Sequence, residues 1–159
     1  MATQTLELNT VGPGIVIYSP FAMAHVAEGE DYFTSHFEVP EVVAFHVVTC
    51  RTAAAMCPPG HYMIRAIRAE APPDLRRSCR SVIALGVEVR DRTLCVRDVG
   101  DLSRWTRTCP APQALKIQDG FYRIVLGAER TPERIVCYME PRSECPKLRW
   151  PGVPYLLEE

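Results

Sequence analysis

Histidine and cysteine are the side chains here with the most chemistry to offer. Four histidines (His25, His36, His46 and His61) fall within the first 61 residues, and Cys50 and Cys57 lie among them. Cys57-Pro58-Pro59-Gly60-His61 places a thiol and an imidazole on either side of a three-residue spacer. A structural zinc site needs four ligands held tetrahedrally, and no second pair in the chain has ligand spacing. Pro-Pro-Gly also accounts for that interval as a turn. A nucleophile pair drawn from Cys50 or Cys57 with His46 or His61 would need an orienting group and a shaped approach. Neither is signalled locally. G-x-S-x-G, G-x-G-x-x-G and a phosphate loop are all absent. The expectation is a protein without catalysis, metal or cofactor. A small Cys/His-based enzyme or ligand-binding module is the alternative.

Charge is more informative. The net charge is −1, but residues 1–50 hold six acids and no Lys or Arg. Such asymmetry points to a partner rather than to a fold. Five of those acids, Glu28, Glu30, Asp31, Glu38 and Glu41, surround Tyr32, Phe33 and Phe37. A run of charge is usually a solvated face. Aromatics set among carboxylates suit an interface, in which the rings anchor and the charges steer a basic partner. The candidate partner-binding set is therefore Glu28, Glu30, Asp31, Tyr32, Phe33, His36, Glu38 and Glu41. The later arginines, around Arg76-Arg77 and Arg90-Asp91-Arg92, are interrupted by acids. They read as solvent faces, without direct nucleic-acid binding.

These residues must be positioned by β structure. No apolar pattern of helical period persists over eleven residues, while short β-branched runs alternate with Pro/Gly punctuation. Strands are expected at Ile15–Tyr18, Val42–Val48, His61–Ile67, Ser81–Val89, Thr93–Val96, Phe121–Leu126 and Arg134–Met139. In His61–Ile67, Tyr62, Ile64 and Ala66 share one face. Residues 1–11 read as a frayed lead with an alternating segment, Thr5-Leu6-Glu7-Leu8, and Arg51–Met56 as too short for an independent helix. Arg90-Asp91-Arg92 closes a hairpin. Gly60-His61-Tyr62-Met63-Ile64 is echoed as Gly120-Phe121-Tyr122-Arg123-Ile124, which raises the prospect of two similar β units. The expected architecture is all-β: one antiparallel β-sandwich domain over residues 1–159. Residues 141–159 would form an extended tail anchored by Trp150 and Tyr155. Seven cysteines, an odd number, and an N-terminus without a secretory pattern favour reduced thiols and a cytoplasmic protein. No apolar run approaches a membrane span.

The order of elements resembles the competence-J-type nuclease inhibitors and related bacterial immunity proteins. The residues that carry this are Val16-Ile17-Tyr18-Ser19-Pro20-Phe21, the Arg80–Val89 strand with Leu94-Cys95-Val96 after it, and Asp119-Gly120-Phe121-Tyr122-Arg123-Ile124. The resemblance implies a small β-sandwich that binds and blocks a nuclease toxin and performs no catalysis of its own.

Overall fold

The computed structural model describes residues 3–148 and 152–157, without the side chains of His36 and Phe37. Nine strands, β1 (Thr3–Thr10), β2 (Gly14–Tyr18), β3 (Thr52–Met56), β4 (Gly60–Ile67), β5 (Cys79–Val89), β6 (Thr93–Asp98), β7 (Ala114–Lys116), β8 (Gly120–Glu129) and β9 (Arg134–Arg142), build two sheets among the described residues. The larger runs β1-β4-β9-β8-β5 and the smaller β3-β2-β6-β7. All pairings are antiparallel except β4 with β9, which is parallel. Among the described residues, two α-helices, α1 (Pro40–Val48) and α2 (Leu75–Ser78), and four short 3-10 or π turns, one of them at Phe33–Phe37, are additions to this all-β framework.

Alternation explains the layers. Leu6 and Leu8 of β1, Tyr62, Ile64 and Ala66 of β4, and Ile124 and Leu126 of β8 point inward from the larger sheet. They meet Ile15 and Ile17 of β2, Ala53 and Ala55 of β3, and Leu94 and Val96 of β6. The outward residues of the smaller sheet are not solvated. Val16 and Tyr18 of β2 and Cys95 of β6 pack under Met23, Val26, Tyr32, Leu102 and Trp105, forming a second apolar cluster. The loops covering that face carry the acidic residues.

Buried polar groups fix the turns. The Asp98 carboxylate accepts hydrogen bonds from the backbone N–H of Val11, Gly12 and Gly100, and so ties the β1–β2 turn to the segment after β6. Ser19 Oγ donates toward the Arg90 and Thr93 carbonyls and accepts from the Arg90 N–H. It pins the expected β5–β6 hairpin, where Asp91 and Arg92 both have positive φ, at 56° and 54°. Two left-handed residues in sequence are the signature of a type I′ turn, whose twist matches that of the flanking strands. The Gly-x-Tyr echo has a local cause. Tyr62 donates its hydroxyl hydrogen to the Pro58 carbonyl, and Tyr122 does the same to Gln118, each reaching back four residues at the start of its strand.

Four expectations are corrected. Val42–Val48 is not a strand but most of α1. Pro40 occupies the first turn, and Val39 before it is extended, at φ −90° and ψ 108°. Proline pre-sets helical φ there and has no N–H to leave unpaired. Valine's β preference yields because Val43 and Val47, one turn apart, are the residues the helix buries. Arg51–Met56 contains β3, whose small alanines let it pair with β2. Residues 3–10 are not a frayed lead but the full edge strand β1, paired with β4 from Thr3 to Thr10. The thiols are not all reduced: Cys50 and Cys145 form a disulfide. In the tail, Tyr155 bridges to Met56 and is itself exposed, while Leu156 enters the core; Trp150 lies outside the described residues.

Candidate partner-binding face

The acidic loop is clamped by backbone. The Gly29 N–H donates to the Trp105 carbonyl at 2.7 Å, and the Trp105 N–H returns to the Glu30 carbonyl at 3.0 Å. Trp105 in turn belongs to the segment held by Arg97. That guanidinium is buried and lies 4.3 Å from the Trp105 ring centroid. It donates to the Tyr18 hydroxyl, the Thr106 carbonyl and Oγ1, and the Asp101 carboxylate. Burial works against its charge, but the Tyr18 and Asp101 contacts outweigh that and hold its pKa above the ordinary range. One buried arginine thus sets the platform on which the acidic loop sits.

Each carboxylate of the first turn has a local role. Glu28 accepts the Arg107 N–H at 2.9 Å, Glu30 accepts the Ala27 N–H at 3.2 Å, and Asp31 accepts the Thr34 N–H at 3.0 Å. The Thr34 bond holds the Asp31 carboxyl below its usual range. Glu28, Asp31, Glu38 and Glu41 are exposed, and Glu30 is half-buried. Arg107 is the cation placed among them, with its guanidinium on the Ala24 carbonyl.

The aromatic part of the expectation divides. Tyr32 is 2% exposed and belongs to the core under the loop. Its hydroxyl lies 3.0 Å from His46 Nε2, and burial, with the Glu30 charge, pushes its pKa up to about 12. His25 stacks on His46 with ring centroids 6.1 Å apart. Phe33 is partly buried against the second cluster. The side chain of His36 lies outside what is described. The Tyr32–His46 contact joins the acidic loop to α1, and α1 supplies the apolar groups that sequence reasoning missed. Phe45 and Val48 are 57% and 56% exposed. Glu41, Phe45 and Val48 recur at helical spacing along one side of α1, a signal that reading this segment as a strand conceals.

Among the described residues, Cys57 and His61 are not brought together. Cys57 faces the main core, and burial raises its pKa. His61 sits on the opposite face of β4, at 2.6 Å from Asn9 Oδ1 and 3.9 Å from Glu7. Cys50 is taken by the disulfide. Among the described residues, no three His, Cys, Asp or Glu side chains are grouped to hold a metal ion.

No protein-family model and no curated protein matches the chain. Two solved structures share its fold. "Crocagin biosynthetic gene J" superposes with a TM-score of 0.60 at 12% identity, over 89% of this chain and 99% of that one. ComJ from Bacillus subtilis, described as an inhibitor of the DNA-degrading activity of NucA, superposes with a TM-score of 0.51 at 7% identity, over 87% of this chain and 96% of its own. The resemblance read from element order extends to the fold.

Proposed function

We propose that this chain is a non-enzymatic immunity or inhibitor protein that binds a basic nuclease toxin through its acidic face and blocks it. The observation that carries this reading is the placement of Glu28, Asp31, Glu38 and Glu41 as exposed carboxylates on a loop-and-helix unit anchored to a rigid sandwich. A nuclease must bind phosphate and so presents a basic groove, for which an ordered carboxylate array competes. The shared fold with an inhibitor of a DNA-degrading nuclease supports the same class. Tyr32 and Phe33 act in this reading from beneath, by holding the loop.

The proposed site of action is the cytoplasm, where a producer must protect its own DNA. No helix among the described residues is long and apolar enough to cross a membrane.

The test mixes the purified chain with the product of the neighbouring gene and follows DNA degradation at low salt. The wild type forms a complex and suppresses degradation. Reversing Glu28, Glu30 and Asp31 to lysine weakens the complex by about a hundredfold, since several like charges then face the partner. No complex at low salt, or one indifferent to the charge reversal, overturns the proposal.

A further inference from the structure

The helix α1 lies at the surface yet is apolar on two sides. Val43 and Val47 face inward and are buried. Phe45 and Val48 face outward and leave more than half of their surface to water. A surface helix normally shows one apolar stripe and one polar face, and a second apolar stripe marks a surface that something else covers. The stripe is also held in place. Thr49 Oγ1 donates to the Phe45 carbonyl, the Arg51 N–H closes on the His46 carbonyl, and Cys50 is bonded to Cys145. Two ordered side chains on a fixed helix cost little entropy to bury, which is the condition for a contact centre.

Charge decides what covers it. Glu41 lies one turn before Phe45 on the same side of α1, and Glu38 precedes the helix; both are exposed. Arg51 follows at the far end. The two exposed carboxylates beside the stripe outnumber that one cation, so a rim of Lys or Arg fits it better than an acidic one.

We infer that the outward stripe of α1, Phe45 and Val48, is the apolar anchor of the binding face, and that its occupant is a protein surface with an apolar seat bordered by Lys or Arg. This rests on the proposed inhibitor reading, of which it names the contact centre. The carboxylates govern the approach and the stripe governs the residence time.

The test is independent of any nuclease. A short fluorescent amphipathic peptide of leucine and lysine is titrated onto the folded chain, beside the same peptide with glutamate in place of lysine. The lysine peptide binds the wild type. The double variant Phe45→Ser, Val48→Ser, shown by circular dichroism to remain folded, binds it about thirtyfold more weakly. The glutamate peptide binds neither protein. Equal binding of wild type and variant, no binding of the lysine peptide to the wild type, or equal binding of both peptides overturns the inference. So does a wild-type dimer in sedimentation that the serine variant converts to monomer, because a second copy would then be the occupant. If the neighbouring nuclease is inhibited equally by wild type and serine variant, the anchor falls and the inhibitor reading stands. If the peptide result holds and no nuclease is inhibited, the inhibitor reading falls alone.

Discussion

Cys109 shows how much of this molecule's chemistry is decided one residue at a time. It is half-buried in the loop after Trp105, against the cluster that contains Cys95. The Cys95 thiol donates to it and lowers its pKa; burial pushes back, and the Arg97 charge adds to the lowering. The other free thiols go the opposite way. Cys95 is raised chiefly by that same hydrogen bond, Cys57 and Cys79 by burial, and Cys137 by burial to about 12. Alkylation needs the thiolate, which is populated above the thiol's pKa. A lowered pKa therefore keeps the rate high to lower pH before it falls. Iodoacetamide should label Cys109 first in the native protein and leave Cys137 untouched. Its rate profile should move to higher pH in Arg97→Met, and uniform labelling or prompt reaction at Cys137 would contradict this. Burial follows the local sequence where the run is apolar: Cys95 lies in Leu94-Cys95-Val96 and Cys137 in Val136-Cys137-Tyr138, and both are buried. The burial of Tyr32 was not legible in this way, because an aromatic amid carboxylates looks like surface until the His46 contact places its hydroxyl inside.

At the scale of elements, α1 was the hardest segment to read. Its valines favour a strand, and a helix apolar on two sides has no clear helical period. Pro40 with Glu41 in the first turn was the available start signal, and the end was hidden in a cysteine. Cys50 has φ 58°, and the Arg51 and Cys50 N–H groups close on the His46 and Val47 carbonyls. That is the helix-ending motif in which glycine is the usual residue. A left-handed cysteine costs about 1–3 kcal/mol unless its surroundings impose it. Here they do: Cys50 is buried, accepts the Glu88 N–H at its carbonyl, and is bonded to Cys145, 95 residues on. The bond closes a long loop in the unfolded chain, so Cys145→Ser should lower stability by about 2–4 kcal/mol. Dithiothreitol should do the same to the wild type and nothing further to the variant, as measured by urea unfolding. Equal midpoints for wild type and Cys145→Ser would show that the loop closure contributes nothing. The strands were the easier elements. Alternation in His61–Ile67 placed Tyr62, Ile64 and Ala66 on the face that is buried, but of β1 only the alternation Thr5-Leu6-Glu7-Leu8 was legible, because its Thr and Asn residues dilute the apolar signal at a sheet edge.

For the whole molecule, the question is whether the acidic face and the sandwich form one cooperative unit, as a single domain over residues 1–159 requires. Its two large clusters share strands. Ile15 and Ile17 of β2 point into the main core while Val16 and Tyr18 point into the outer cluster; Leu94 and Val96 of β6 point in while Cys95 points out. Every one of the nine strands contributes to the main core. Neither cluster can be lost without unpairing strands that the other needs, so unfolding should be all-or-none. Trp105 tests this, because it is buried in the outer cluster and takes no part in the main core. In a Trp150→Phe background it is the sole tryptophan of the chain. Urea unfolding followed by its fluorescence should coincide in midpoint and slope with far-ultraviolet circular dichroism, which reports both sheets. An earlier fluorescence transition would mean that the outer cluster melts by itself, carrying the acidic loop with it. The binding face would then order only on contact with its partner, at an entropic cost that weakens the complex. A coincident transition would mean that the sandwich holds the face in place before any partner arrives.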